Sequence, residues 1–166
     1  MLDGFKIRLA EEKDTGMILG FIKALAEYEK MSEDVVATEE ILRDSLFVKK
    51  GAEVVIGELQ GKPVCFALFF HNFSTFIGKA GIYLEDLFVL PEARGNGIGK
   101  IMLSYLANLA IERNCGRLEW SCLDWNEPSI RFYKKQGACA MDEWTVYRLC
   151  DDALSNLAME AKKVYQ

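Results

Sequence analysis

Two short stretches of this 166-residue sequence hold residues suited to chemistry. The first, EARGNGIGK (Glu92 to Lys100), sets Gly95, Gly97 and Gly99 at alternate positions, between an apolar run that reads as a strand and the segment IMLSYLANLAIE, which reads as a helix. Just ahead of it, GIYLEDLFV places two adjacent acids, Glu85 and Asp86, in an otherwise apolar strand. Glycines that open a helix let an anion approach the main chain, because the first N–H groups lack intrahelical partners and lie at the positive end of the dipole. Acids in a strand have the opposite need. Burying an unpaired carboxylate costs several kcal/mol, so such a group must reach solvent, a counter-ion or a cationic ligand.

Spacing separates the glycine loop from the two commonest phosphate motifs. The dinucleotide fingerprint needs its third glycine where Lys100 stands; a P-loop needs glycine in place of Arg94 and Ser or Thr in place of Ile101. What remains is R-x-x-G-x-G, a main-chain cradle suited to a pyrophosphate. A third acid raises the strand's question on a helix. Between Thr15 and Lys30, Ile18, Phe21, Ile22 and Leu25 recur at helical spacing. At about 100° per residue, Glu29 falls within roughly 20° of Ile18, near the middle of that stripe. It belongs either to a frayed, solvated helix end or to a pocket for a cation. On the strand, alternation groups Ile82, Leu84, Asp86 and Phe88 on one face and Tyr83, Glu85, Leu87 and Val89 on the other, so each face is expected to carry one carboxylate.

The supporting elements follow from periodicity. FKIRLA (5–10) alternates as a first strand, the Thr15–Lys30 helix follows, and Thr38 is the expected N-cap of a shorter helix through EEILRDSLF. EVVIGEL, the turn QGKP and VCFALFFHNF form a hairpin, with GIYLEDLFV as the next strand. The long helix from about Gly97 ends at NCG, where Gly116 is expected in the left-handed conformation. RLEWSCL is a strand, and NEPSIRFYKKQG is a short helix capped by Asn126, with Pro128 in its first turn and Gly137 at its end. WTVYRLC is expected to close the sheet, and a helix is expected in the tail from Leu154. The order β-α-α-β-β-β-α-β-α-β gives an α/β (α+β) class, a mixed sheet with helices on its faces. The glycine loop follows the fourth strand, not the first, which again sets it apart from a Rossmann unit.

Bulk composition narrows the function. Apolar residues make up 51% and charged residues 27%, with no linker-like or low-complexity stretch, so a single domain over 1–166 is expected. Net charge is −5 and the basic residues never exceed pairs (Lys49-Lys50, Lys134-Lys135, Lys162-Lys163), which argues against nucleic-acid binding. No leader-like or membrane-spanning stretch stands out, and the five cysteines contain no C-x-x-C pair; buried, reduced thiols in a cytoplasmic protein are expected. His71, the single histidine, cannot build a His-rich metal site, so no metal is expected.

Strand YLEDLFV, loop RGNGIG and helix WNEPSIRFYKKQGA together resemble the acetyl-CoA-binding motifs of the GNAT N-acetyltransferases, in particular the diamine (spermidine/spermine) acetyltransferase branch. LAEYEKMSEDV, near the N-terminus, extends the likeness over most of the chain. The resemblance implies a twisted, mostly antiparallel mixed sheet splayed between strands 4 and 5, with the pantetheine arm of acetyl-CoA in the splay, a small-molecule amine as acceptor, and a homodimer. It assigns Leu87, Phe88 and Val89 to backbone contacts with the pantetheine, and Arg94, Gly95, Asn96, Gly97, Ile98, Gly99 and Lys100 to the pyrophosphate. Glu119, Trp120 and Ser121 border the acetyl end, and Asn126 and Ser129 lie near the cofactor. Tyr133 sits beside the thioester sulfur and supplies its proton, Glu85 is the base, and Tyr28, Glu29 and Asp86 join Glu85 in contacting a polyamine. Phe76 stands where polyamine-acetylating relatives tend to carry a larger aromatic residue, which keeps thialysine, other amino-acid amines and peptides as alternative acceptors. A non-catalytic acyl-CoA sensor is the rival from another class, and it would need neither Tyr133 nor Glu85.

Overall fold

A computed structural model of the chain describes residues 2–161, which fall into two compact units, Met1–Ser121 and Cys122–Gln166. The first unit runs β1 (Phe5–Leu9), α1 (Thr15–Glu29), α2 (Glu39–Arg43), β2 (Glu53–Leu59), β3 (Lys62–Ser74), β4 (Lys79–Val89), α3 (Ile98–Glu112) and β5 (Leu118–Trp120). The strands form one sheet in the order β1-β2-β3-β4-β5, antiparallel throughout except for the parallel β4–β5 pair. The mixed sheet expected from the element order is therefore present.

Each helix joins the sheet through its apolar stripe. Ile18 and Phe21 of α1 pack with Val54, Ile56, Phe66 and Phe88 on one face, where the Phe21 and Phe66 rings stack at 5.2 Å. Thr38 caps α2, its hydroxyl accepting from Ile41 N–H at 3.2 Å, and a π-helical turn, Asp44–Val48, then buries Leu46 in the same core. Ile98, Met102, Leu106 and Ala110 recur at helical spacing along the buried side of α3. An ionic tie fixes the start of α1. Arg8 of β1 grips the Asp14 carboxylate through two nitrogens, at 2.6 and 3.0 Å, while its Nε reaches Glu58 of β2 at 2.8 Å.

α3 ends differently from expectation. Asn114 takes the left-handed conformation (φ +53°), and Gly116 does not. Asparagine tolerates that region, whereas Gly116 is needed for close approach: a Cβ there would collide with the side chain of Ile77, and its N–H donates to Ala80 O at 2.8 Å.

The second unit contains α4 (Glu127–Lys135) and α5 (Asp151–Ala161). Asn126 caps α4 by accepting from Ser129 N–H at 3.4 Å, and Gly137 closes it with φ +88°. The strand expected at Trp144–Cys150 is not formed. Its unit has no other strand among the described residues, and alternation alone cannot stabilise a strand that has no ladder to join. Trp144, Val146 and Tyr147 are exposed there, and Cys139 and Cys150 are exposed as well, so the expectation of uniformly buried thiols holds for Cys65 and fails for these two. The tail helix is present, beginning at Asp151, and 162–166, including the Lys162-Lys163 pair, lie outside the described residues.

Candidate active site

The acids of β4 are arranged by an irregularity that alternation does not reveal. Leu68 of β3 pairs with Asp86 and the next residue, Phe69, pairs with Leu84, so Glu85 is an extra residue bulged out of β4. The bulge inverts the expected grouping. Ile82 and Leu84 share a face with His71 and Phe69, while Asp86 and Phe88 share the opposite face with Leu68 and Phe66, toward α1. Glu29 meets them from α1. It is the last residue of that helix and half-buried, so it is not a frayed surface end. Burial raises the Glu29 carboxyl above its ordinary value. Burial together with the charges of Glu85 and Glu29 lifts Asp86 to about 6. Glu85 itself is exposed. Among the described residues no ion pair involves any of the three. Buried carboxyl groups with a negative neighbour and no counter-ion of their own suit a cationic ligand.

Beyond the bulge, β4 presents an open edge. The parallel ladder pairs Ile82, Leu84 and the residue between them with Leu118–Trp120 and goes no further, while β4 continues to Val89. Leu90 N–H donates to Val64 O at 2.9 Å, so the alternation of antiparallel bonds turns Asp86 and Phe88 toward β3, and Leu87 and Val89 away from it. The main-chain groups of Leu87 and Val89 thus line the fork between β4 and β5, whereas those of Phe88 face β3.

The glycine loop leads from this edge into α3. Gly95 and Gly97 both adopt positive φ (+81° and +77°), and among the described residues no atom beyond the adjoining ones lies within 4 Å of where a Cβ would stand on either. The bare side of the loop therefore faces open space. The first intrahelical bond is Ile101 N to Gly97 O, which leaves the N–H groups of Ile98, Gly99 and Lys100 without intrahelical acceptors at the start of α3. Open space beside left-handed glycines and a cluster of outward N–H groups fits a pyrophosphate. Asn96 bonds back to the Ala93 and Arg94 carbonyls, stiffening the turn. The Arg94 guanidinium is turned inward. It donates to Val89 O at 2.9 Å and lies over the rings of Tyr28 (4.9 Å) and Phe88 (5.3 Å). One side chain thereby links the glycine loop, the strand edge and the acidic end of α1.

On β5, Glu119 accepts from Asn72 Nδ2 at 2.7 Å and lies 2.7 Å from Arg117 Nε. Ser121 shares a 2.6 Å hydrogen bond with the Tyr83 hydroxyl. Trp120 is half-buried at the last ladder position. Neither Tyr83, Asn72 nor Arg117 stood out in the sequence, since nothing in their spacing indicates partners on other strands. In the second unit, Asn126 and Ser129 form the N-terminal cap of α4, and Tyr133 is half-buried beside Phe132, ring centroids 5.3 Å apart.

Known proteins match both the sequence and the fold. The family model described as acetyltransferase (GNAT) family matches residues 20–138. The chain is 39% identical over 164 residues to a thialysine N-epsilon-acetyltransferase of Bos taurus, covering 92% of this chain and 96% of that protein. It is 33% identical over 170 residues to the human spermidine/spermine N(1)-acetyltransferase-like protein 1, covering 96% of this chain and 24% of that longer protein. Among solved structures, a predicted acetyltransferase from Clostridium acetobutylicum, determined with acetyl-CoA, superimposes with a TM-score of 0.72 at 25% identity, covering 87% of this chain and 96% of that one.

Proposed function

This chain belongs to the acetyltransferase (GNAT) family and is an acyltransferase, and on that premise we propose that it moves an acetyl group from acetyl-CoA to a primary amine of a small polycationic acceptor, a diamine or polyamine. The observation that carries this reading is the unpaired acid cluster of Glu29, Glu85 and Asp86 beside the open edge of β4. Three neighbouring carboxylates suit an acceptor with more than one ammonium group. Glu29 and Asp86, with Tyr28, hold the ammonium groups that do not react.

The cofactor brings an acyl group activated as a thioester. Its pyrophosphate is assigned to the N–H groups from Gly95 to Lys100, and its pantetheine arm to the Leu87 and Val89 main chain at the fork. Glu119, Trp120 and Ser121 border the acetyl end, and Asn126 and Ser129 sit near the cofactor. An alkylamine with a pKa near 10.4 is neutral in only about one molecule in 10³ at pH 7, so attack needs a proton acceptor. Glu85, exposed in the bulge, takes that proton. Tyr133 Oη gives one to the departing sulfur. Five free thiols support a cytoplasmic setting, and a homodimer is the assembly to test by sedimentation.

Thialysine or another amino-acid amine is the second reading, favoured by the 39% identity to a protein of that name. The decisive experiment measures CoA release, with detection independent of the protein's thiols, against putrescine, spermidine, spermine, thialysine, lysine and a short peptide. Turnover led by the polyamines supports the proposal. Turnover led by thialysine or lysine replaces the acceptor. If no amine reacts although acetyl-CoA raises the melting temperature, the glycine-loop assignment stands and the acceptor assignment fails.

A further inference from the structure

β5 is only three residues long, and three ladder pairs hold a strand weakly. Side chains on the α1 face of the sheet supply what the ladder lacks. Glu119 is tied to Asn72 two strands away and lies against Arg117, and Gly81 makes room for this cluster, since a Cβ there would strike Asn72 Oδ1 and Arg117 Cγ. Further along, beyond the last ladder pair, the Tyr83 hydroxyl meets Ser121 Oγ at 2.6 Å. The Tyr83 ring is itself fixed against Phe70, with centroids 5.2 Å apart. Had the ladder continued, Ser121 would pair with Glu85, but Glu85 is the bulged residue and offers no regular partner. At that point a tyrosine-length side-chain bridge, and not a main-chain pair, joins the end of β5 to β4.

We propose that Tyr83 and Ser121 form a pin that sets the opening of the fork between β4 and β5 and so positions the pantetheine arm against Leu87 and Val89. The inference rests on the acetyl-CoA reading above. Tyr83 acts through Ser121 and need not touch the cofactor, which makes it a positioning residue.

The test is a double-mutant cycle on the full chain, Tyr83→Phe, Ser121→Ala and the two combined, read as acetyl-CoA affinity by calorimetry. Amide hydrogen exchange at Ile82 is followed in the cofactor-free protein, because that N–H donates to Arg117 O in the ladder the pin protects. Each single change is expected to weaken acetyl-CoA about fivefold, as loss of one hydrogen bond would, and the double change no more than either alone. KM for acetyl-CoA should rise by the same factor while kcat falls by less, Ile82 should exchange faster, and Ser121→Thr should restore affinity. A loss confined to Ser121→Ala, with Tyr83→Phe silent, would mean that Ser121 touches the cofactor directly and would overturn the pin. So would multiplicative losses in the double variant, or unchanged exchange at Ile82. If the unsubstituted chain does not bind acetyl-CoA, the cofactor reading fails, and the pin is then judged by the response of Ile82 alone.

Discussion

Asp14 and Asp86 are acids of the same first unit, and their surroundings are opposite. Asp14 is 3% exposed, lies in the fork of Arg8, also accepts from Glu11 N–H, and is held below the usual carboxylate range. Asp86 faces Glu29 and Glu85, and burial with those negative charges lifts it to about 6. One acid is complete within the chain; on the reading proposed above, the other is completed by the ammonium groups of the acceptor. Burial alone therefore does not separate a structural carboxylate from a binding one, and the sign of its neighbours does.

That contrast can be broken from either side. The largest effect is expected at the completed acid: Arg8→Met leaves Asp14 buried without its partner and should cost about 3 kcal/mol at pH 7 by denaturant unfolding. The Asp14 pKa is depressed in the folded chain, so its contribution is complete above its ordinary value of 3.8 and disappears as pH falls through the lower native value. The deficit of the variant should shrink accordingly in acid. A deficit independent of pH would assign the loss to packing of the arginine stem.

For Asp86 the sign reverses. A carboxyl raised from 3.8 to about 6 contributes a penalty that is absent below 3.8, grows between those values and is constant above them. Asp86→Asn should stabilise the chain by up to about 3 kcal/mol at pH 8 and leave it unchanged at pH 3. Equal melting temperatures at pH 8 would mean that the acid is already compensated. Next in size, Glu29→Gln should weaken a triamine about tenfold and a monoamine less than about threefold, as expected when one of several charge contacts is lost. A uniform loss across both would remove the cation pocket. The smallest effect serves as a control. Glu127 and Arg131 form an exposed i,i+4 pair at 3.8 Å on α4, and Glu127→Gln should change stability by no more than about 0.5 kcal/mol.

The regular parts of the molecule were legible from periodicity. The apolar stripe of α1, the Thr38 cap and the β2–β3–β4 run follow from local pattern, and so does the glycine loop at the start of α3. The three acids also stood out, since each opposes the pattern around it. What the pattern could not supply was anything that depends on pairing. The bulge at Glu85 is a relation between two strands, invisible in either alone, and it moved Asp86 from the face of Ile82 and Leu84 to the one toward α1, beside Glu29. For the same reason Trp144–Cys150 read as a strand: alternation reports which residues suit a sheet, not whether a ladder is there to receive them. Arg94 illustrates a third limit. Its motif placed it at the pyrophosphate, yet its guanidinium lies against Val89, Tyr28 and Phe88, contacts fixed by side-chain direction rather than by sequence spacing.

The extra residue in β4 acts as a frameshift in space. Deleting Glu85 would let pairing run regularly along the whole strand with every remaining side chain on its present face, because Leu84 already pairs with Phe69 and Asp86 with its neighbour Leu68. Ile82 and Leu84 would stay on their buried face and Asp86 and Phe88 toward α1; only a full-length strand paired without the bulge would make Asp86 and Phe88 trade faces with Leu87 and Val89. The same deletion in the hairpin tip at 75–78 would shift no strand register already set by the sheet. The extra residue thus serves the acid cluster and not the core: its removal would take away the Glu85 carboxylate while the apolar side chains of β4 kept their β3 partners.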